Sequence, residues 1–315
     1  MPFEASIIVC THNPRADYFA RALEALRLQT LPPAAWELIV VDSCSSPPLD
    51  LAEALKWHPA ARVVREETIG VARARLRGMR EAGGRILVFV DDDNLIQPDY
   101  LEVALRIERE FPILGVWGGS ITGEFETPPP PSIRPWLGGL AVHEISRAYW
   151  SNVPAWSFAI PYGAGMCFRQ EVAREYFRCV EESPIRLALG RTGRGLGAGE
   201  DSDIAFCCTR SDLGMGRFPE LKLTHLISAR RLTEGYMARM YAGFAHSTVY
   251  LNRLWNLPEP PPQNLLAGLL RVLRTRLSQG RMAGKIAYTT FWAERKAREE
   301  LRALPPAPQA ATMPR

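Results

Sequence analysis

The chain has 315 residues, 47% hydrophobic and 23% charged, with a formal net charge of +4. This is the composition of an ordinary globular protein, long enough to bury a full core in one embellished domain or two smaller ones. It excludes a largely disordered chain, and so modest a charge makes no general case for nucleic acid as a partner.

In chain order, short β-branched runs alternate with helical patterns up to about residue 118. Strands are expected at Ser6 to Cys10, Trp36 to Asp42, Arg62 to Arg65, Ile86 to Asp91 and Leu114 to Gly118. Helices are expected near Ala16 to Gln29, Leu49 to Trp57, Val71 to Ala82 and Asp99 to Glu110. Continuous apolar strands separated by helices imply an α/β fold with a mainly parallel sheet covered on both faces. Such sheets bind ligands at the carboxyl ends of their strands. Those ends are polar here: Thr11-His12-Asn13 after the first strand, Asp42-Ser43 after the second, Asp91-Asp92-Asp93-Asn94 after the fourth.

The last of these clusters is the most informative. Three adjacent anions at the mouth of a core repel one another unless a cation is expected there. On an extended backbone Asp91 and Asp93 point one way and Asp92 the other, so the outer pair suits a hard divalent ion.

Past residue 123 the pattern breaks into Thr127-Pro128-Pro129-Pro130-Pro131, a semi-rigid connection. Glycine-rich stretches follow at Ser157 to Phe168 and Gly195 to Cys207, then an expected edge strand at Phe218 to Thr224. A helical tail from Asn264 to Leu304 carries nine Arg and Lys against three Glu, and Pro305 to Arg315 read as a disordered end. The divisions are therefore 1–123, 124–255, 256–304 and 305–315. Cys10, Cys44, Cys167, Cys179, Cys207 and Cys208 have neither zinc-site spacing nor the density of a disulfide scaffold, so they are expected as reduced thiols. With no leader-like segment before Ser6 and no apolar run of bilayer length, the catalytic part is expected in the cytoplasm, free or peripheral on the inner face of the membrane.

Five segments, in this order, resemble family 2 glycosyltransferases with the nucleotide-sugar-binding GT-A fold: Ser6-Ile7-Ile8-Val9-Cys10-Thr11-His12-Asn13, Glu37-Leu38-Ile39-Val40-Val41-Asp42-Ser43, Gly70-Val71-Ala72-Arg73-Ala74-Arg75, Val88-Phe89-Val90-Asp91-Asp92-Asp93 and Gly199-Glu200-Asp201-Ser202-Asp203. The resemblance implies transfer of a sugar from a nucleotide-diphosphate donor to a carbohydrate or lipid-linked acceptor, in glycan, polysaccharide or glycolipid synthesis of the cell envelope. It implies Thr11, Asn13, Asp42, Arg73, Asp91 and Asp92 around the nucleotide, with Asp42 accepting from the base. Asp91, Asp93 and His225 would hold Mg2+ or Mn2+, and Asp201 would be the general base with Glu200 orienting it or the acceptor. Where the family follows Asp42 with a glycine-containing turn, this chain has Ser43-Cys44-Ser45-Ser46-Pro47. Tyr162-Gly163-Ala164-Gly165 resembles an acceptor segment, and Trp136, Trp150 and Trp156 suit either an acceptor platform or the core.

Three other readings compete. A metal-dependent nucleotidyltransferase wants a glycine-rich basic loop after the first strand, and Thr11-His12-Asn13-Pro14-Arg15 is not one. A dinucleotide-dependent dehydrogenase wants Gly-x-Gly-x-x-Gly there. A non-catalytic sugar-nucleotide-binding protein would lack the acidic sets present here. The tail's leucines and arginines suit an anionic membrane surface, its own domain or a second copy in a homodimer.

Overall fold

The computed structural model describes residues 3–192, 197–259, 261 and 264–303. The expected disordered end at 305–315, and Gly195 and Leu196 of the glycine-rich stretch, lie outside them.

Four parallel strands carry the amino-terminal half: β1 (Phe3–Thr11), β2 (Trp36–Ser43), β3 (Ala61–Glu66) and β4 (Gly84–Asp91). They stand in the order β3-β2-β1-β4, with α1 (Ala16–Arg27), α2 (Val71–Glu81) and α3 (Tyr100–Glu110) between or after them. Alternation of side chains gives each strand two apolar faces. Ile7, Val9, Leu38, Val40, Val88 and Val90 pack with Phe19, Leu26 and Leu101 of α1 and α3, while Ile8, Ile39, Val41, Leu87 and Phe89 pack with Leu76 and Met79 of α2. The result is a helix-sheet-helix sandwich.

The sheet continues without a break into the second half. It adds β5 (Asn94–Ile96), β6 (Leu114–Phe125), β7 (Tyr149–Ser151), β8 (Cys167–Arg169) and β9 (Gly214–Ile227), in the full order β3-β2-β1-β4-β8-β6-β9-β5 with β7 on β9. β8 is antiparallel to both neighbours, and β6 and β9 run parallel to each other. α4 (Gln170–Glu182) and α5 (Glu200–Cys207) join the layer of α2. α6 (Glu234–Leu254), α7 (Leu265–Gln279) and α8 (Arg281–Arg302) close the chain.

Three elements differ from the sequence expectation. Leu49 to Trp57 is a succession of turns, because Asp42 takes the Leu49 N–H and the packing of Leu51, Leu55 and Trp57 on the core overrides helix propensity. The expected edge strand is the middle of β9, an interior strand paired with β6, β5 and β7. The tail is two helices, broken at Gly280, whose φ of +93° suits glycine. Its second helix belongs to the core: Met282 and Ile286 pack with Met237 and Met240 of α6, and Ala297 with Leu251.

Candidate active site

Register fixes the first part of the site. Thr11 stands opposite Asp42, Cys10 opposite Asp91 and Asp42 opposite Arg65, so one row of residues lies at the carboxyl edge of the sheet. After Asp91 the chain turns, so the strict alternation expected for 91–93 does not hold. All three aspartates line a single cleft of about 870 Å³, together with Arg75, Tyr162, Gly163, Glu200, Asp201, Arg217, His225 and Arg231.

Each aspartate there has a different partner. Asp91 Oδ1 accepts from Arg75 Nη2 at 3.2 Å. Asp92 accepts from the Thr11 hydroxyl, and burial, reinforced by repulsion from Asp93, raises its pKa to about 7. For Asp93 burial works in the same direction, but His225, in the state where its ring carries both protons, and Arg231 outweigh it and hold the carboxyl down to about 2. Asp93 Oδ2 lies 3.3 Å from His225 Nε2 and 2.9 Å from Arg231 Nη1, while Oδ1 accepts from the buried Asn94 amide at 3.0 Å.

His225 is placed by β9, opposite Asn94 of β5. Its Nδ1 lies 2.8 Å from the Leu140 carbonyl and therefore donates. Its Nε2 stands 2.9 Å from Arg231 Nη1, a group that can only donate, so Nε2 offers a lone pair there. Asp93 Oδ2 and His225 Nε2 thus converge on one cation, and here that cation is the Arg231 guanidinium, which an incoming metal ion would have to displace. Among the described residues no three His, Cys, Asp or Glu side chains form a cage for an ion. Two ligands nevertheless fit an ion that takes its remaining oxygens from phosphates and water, the usual habit of Mg2+.

Across the cleft, α5 begins at Gly199 and places three acids in its first turn. Asp201 accepts from the Gly163 and Ser202 N–H groups at 3.0 and 2.8 Å. Glu200 is 2% exposed, its oxygens make no hydrogen bond, and Arg75 Nη1 lies 3.6 Å away. Burial is the main reason its pKa rises to about 7. Asp203 does more than begin the helix: it is fully buried, paired with Arg186, and accepts from Trp255 Nε1 at 2.7 Å.

Arg75 is the bridge between the two acidic groups. Burial opposes its charge, but Glu200 and Asp91 more than offset this and raise its pKa. The sequence reading chose Arg73, which is exposed and absent from the cleft lining. Two positions along a helix turn a side chain by about 200°, so only one of the two can face the sheet edge. Gly163 completes the bridge, since a Cβ there would stand 2.7 Å from the Arg75 guanidinium.

Asp42 and Asn13, by contrast, are absent from the cleft lining. Asp42 is buried, and its oxygens accept from Ser45 N, Leu49 N and Arg65 Nη1, at 2.9, 3.1 and 2.7 Å. Asn13, at φ +46°, holds the 44–47 turn through Ser45 and Ser46. It opens onto a second hollow of about 890 Å³ beside α1. Trp156 lines the cleft along with Phe158, Trp136 packs on Tyr241, and Trp150 is exposed on β7. Sequence reasoning missed Arg75, Arg217 and Arg231; for Arg231 the signal was its place six residues after His225.

The family model described as "Glycosyl transferase family 2" matches residues 6–177. An uncharacterized glycosyltransferase of Haemophilus influenzae is 33% identical over 107 residues, 34% of this chain and 35% of the relative. The glucosyl-dolichyl phosphate glucuronosyltransferase of Haloferax volcanii is 24% identical over 164 residues, 48% of this chain and 51% of the relative. These matches span about half or less of the curated relatives' length. Among solved structures, S. aureus TarS 1-349 in complex with UDP-GlcNAc is similar in fold, with a TM-score of 0.53 and 15% identity over 95% of this chain and 92% of that one.

Proposed function

Because the chain belongs to glycosyl transferase family 2 and is a glycosyltransferase of GT-A fold, we propose that it is an inverting enzyme that moves a sugar from a nucleotide diphosphate to an acceptor hydroxyl. One observation carries this: the Asp91–Asp93 turn and Asp201 open onto the same cleft, joined through Arg75, Glu200 and Gly163. Single displacement needs a base on one side of the anomeric carbon and charge stabilisation on the other.

Asp201 is the base in this reading. Its two backbone N–H bonds orient a carboxylate that still has lone pairs for an acceptor O–H. Glu200 acts through Arg75 as a positioning residue. Asp93 and His225 would hold a divalent ion, Mg2+ or Mn2+, which when bound neutralises the leaving diphosphate. Asp91 and Asp92 would face the donor. Asp42 has about one of its roughly four lone-pair sites left for a base N–H, with Thr11 beside it. Since TarS was crystallised with UDP and UDP-GlcNAc, UDP-sugars are the first donors to test. The acceptor is a carbohydrate, free or lipid-linked.

The test is a thermal-shift screen of UDP-, GDP- and dTDP-sugars with and without Mn2+, followed by Asp201→Asn. A stabilising donor, strengthened by the ion, is expected, and the variant should bind it normally while losing at least about 10²-fold in transfer. Loss of donor binding in the variant would make Asp201 structural.

A further inference from the structure

Three arginines are buried among the described residues: Arg75, Arg186 and Arg217. Two of them have acids. Arg75 lies against Asp91 and Glu200, and Arg186 pairs with Asp203. Arg217, at 2% exposure the most buried of the three, has no carboxylate partner. Its Nη1 donates to His143 Nδ1 at 2.8 Å, and its Nη2 makes only 3.4 Å contacts to the Gly119 and His143 carbonyls. Nε has no partner at all. Beneath the guanidinium lies the Tyr162 ring, 4.9 Å from it.

A guanidinium does not shed its proton in a protein, so burial here removes it from water without a compensating charge. Folds rarely retain such a group unless something else supplies the anion. Arg217 lines the cleft, and so do Tyr162 and His143. Tyr162 is followed by Gly163, which donates to Asp201. The unpaired cation therefore stacks on the segment that holds the proposed base, the acceptor side in this reading, and its β6 partner lies five positions from that of His225.

We propose that Arg217 is the receptor for an oxyanion on the sugar substrate, a carboxylate or a phosphate ester, so that the enzyme works on an acidic carbohydrate. This rests on the transferase reading and narrows its substrate class. The Arg217 fork suits a two-oxygen anion, and its free Nε supplies a further donor. Its position favours the acceptor as the source, with the transferred sugar as the other source of the same chemistry.

Paired probes separate the sources. For the acceptor, glucose, glucuronate and glucose 6-phosphate are titrated by NMR with and without UDP; for the donor, UDP-glucose is compared with UDP-glucuronate. The wild-type protein should prefer the anionic member of one pair by about tenfold to a hundredfold. Arg217→Met should bring that ratio close to one, and Arg217→Lys should restore part of it. Should both variants misfold, the wild-type preference still decides. Anionic probes that bind no better than their neutral twins, or not at all, overturn the proposal. Failure of every nucleotide to bind sinks the transferase reading instead, and the free-sugar titration still tests Arg217.

Discussion

Residues two apart on one helix show how sharply the site discriminates. Arg75→Met would strand Asp91 and the buried Glu200 without a counter-charge, costing about 3 to 5 kcal/mol in urea unfolding. Arg73→Met, on the exposed face, should stay within about 0.5 kcal/mol of wild type and keep donor binding. Equal effects would mean that the helix is rotated from the orientation described. A second residue outside the cleft carries a pH signature. His58 is buried edge-on against Trp36, with ring centroids 4.1 Å apart, and burial lowers its pKa to about 4. An unfolded histidine titrates near 6.5, so between the two values the unfolded chain binds the extra proton and stability falls with acidification. The contribution is complete above pH 6.5 and lost by pH 4, amounting to about 2 kcal/mol between pH 7 and 5. His58→Phe should remove that part of the slope; an unchanged slope would show that other groups set it.

At the scale of elements, two glycines separate backbone constraint from side-chain constraint. A Cβ on Gly119 of β6 would meet the Leu221 carbonyl at 1.9 Å, and backbone cannot yield, so Gly119→Ala should lower the melting temperature by many degrees. On Gly163 the new methyl meets only the far end of Arg75, so Gly163→Ala should melt nearly as wild type yet transfer sugar poorly. If both melt alike, the Gly163 contact is not specific to the site. These elements were unevenly legible in the sequence. β1, β2 and β4 were readable because buried parallel strands are continuously apolar and end in polar residues, which also exposed Thr11, Asp42 and Asp91 to Asp93. β8 was not, since three residues carry no period. β9 was only half seen, because Pro219, Glu220 and Lys222 interrupt it where it bulges away from its partner. Arg75 was missed for a related reason: the glycine before α2 marks where the helix starts, not which face the sheet edge will bury. Arg217 could not be singled out among 38 Lys and Arg without knowing what surrounds it.

For the molecule as a whole, the unusual surface is α7. It packs on α8 through Gly268, against Phe291, and leaves Leu265, Leu266, Leu269, Leu270, Leu273 and Leu277 at least 40% exposed. Arg271, Arg274 and Arg276 lie on the same helix, which has no acid, while none of the described helices is long and apolar enough to cross a membrane. That combination fits an anionic lipid surface, where the leucines enter the acyl boundary and the arginines meet headgroups. The protein should float with phosphatidylglycerol vesicles but not with phosphatidylcholine, and Leu266→Glu with Leu270→Glu should abolish flotation without changing the melting temperature. Deleting the tail would be a poor control, since α8 is part of the core. A dimer that these substitutions dissociate, with no flotation, would assign the face to a second copy. β9 spans the whole cleft, with Arg217 near one end and His225 near the other. Their partners on β6, Gly118 and Gly123, are five positions apart, whereas the two side chains are eight apart along their own strand. The slack is taken up at Pro219 to Leu221, shortening a span of about 26 Å to about 17 Å. That fold-out acts as a buffer for length: residues added or removed there would leave Arg217 and His225 the same distance apart, because the rungs to β6 on either side hold both ends in place.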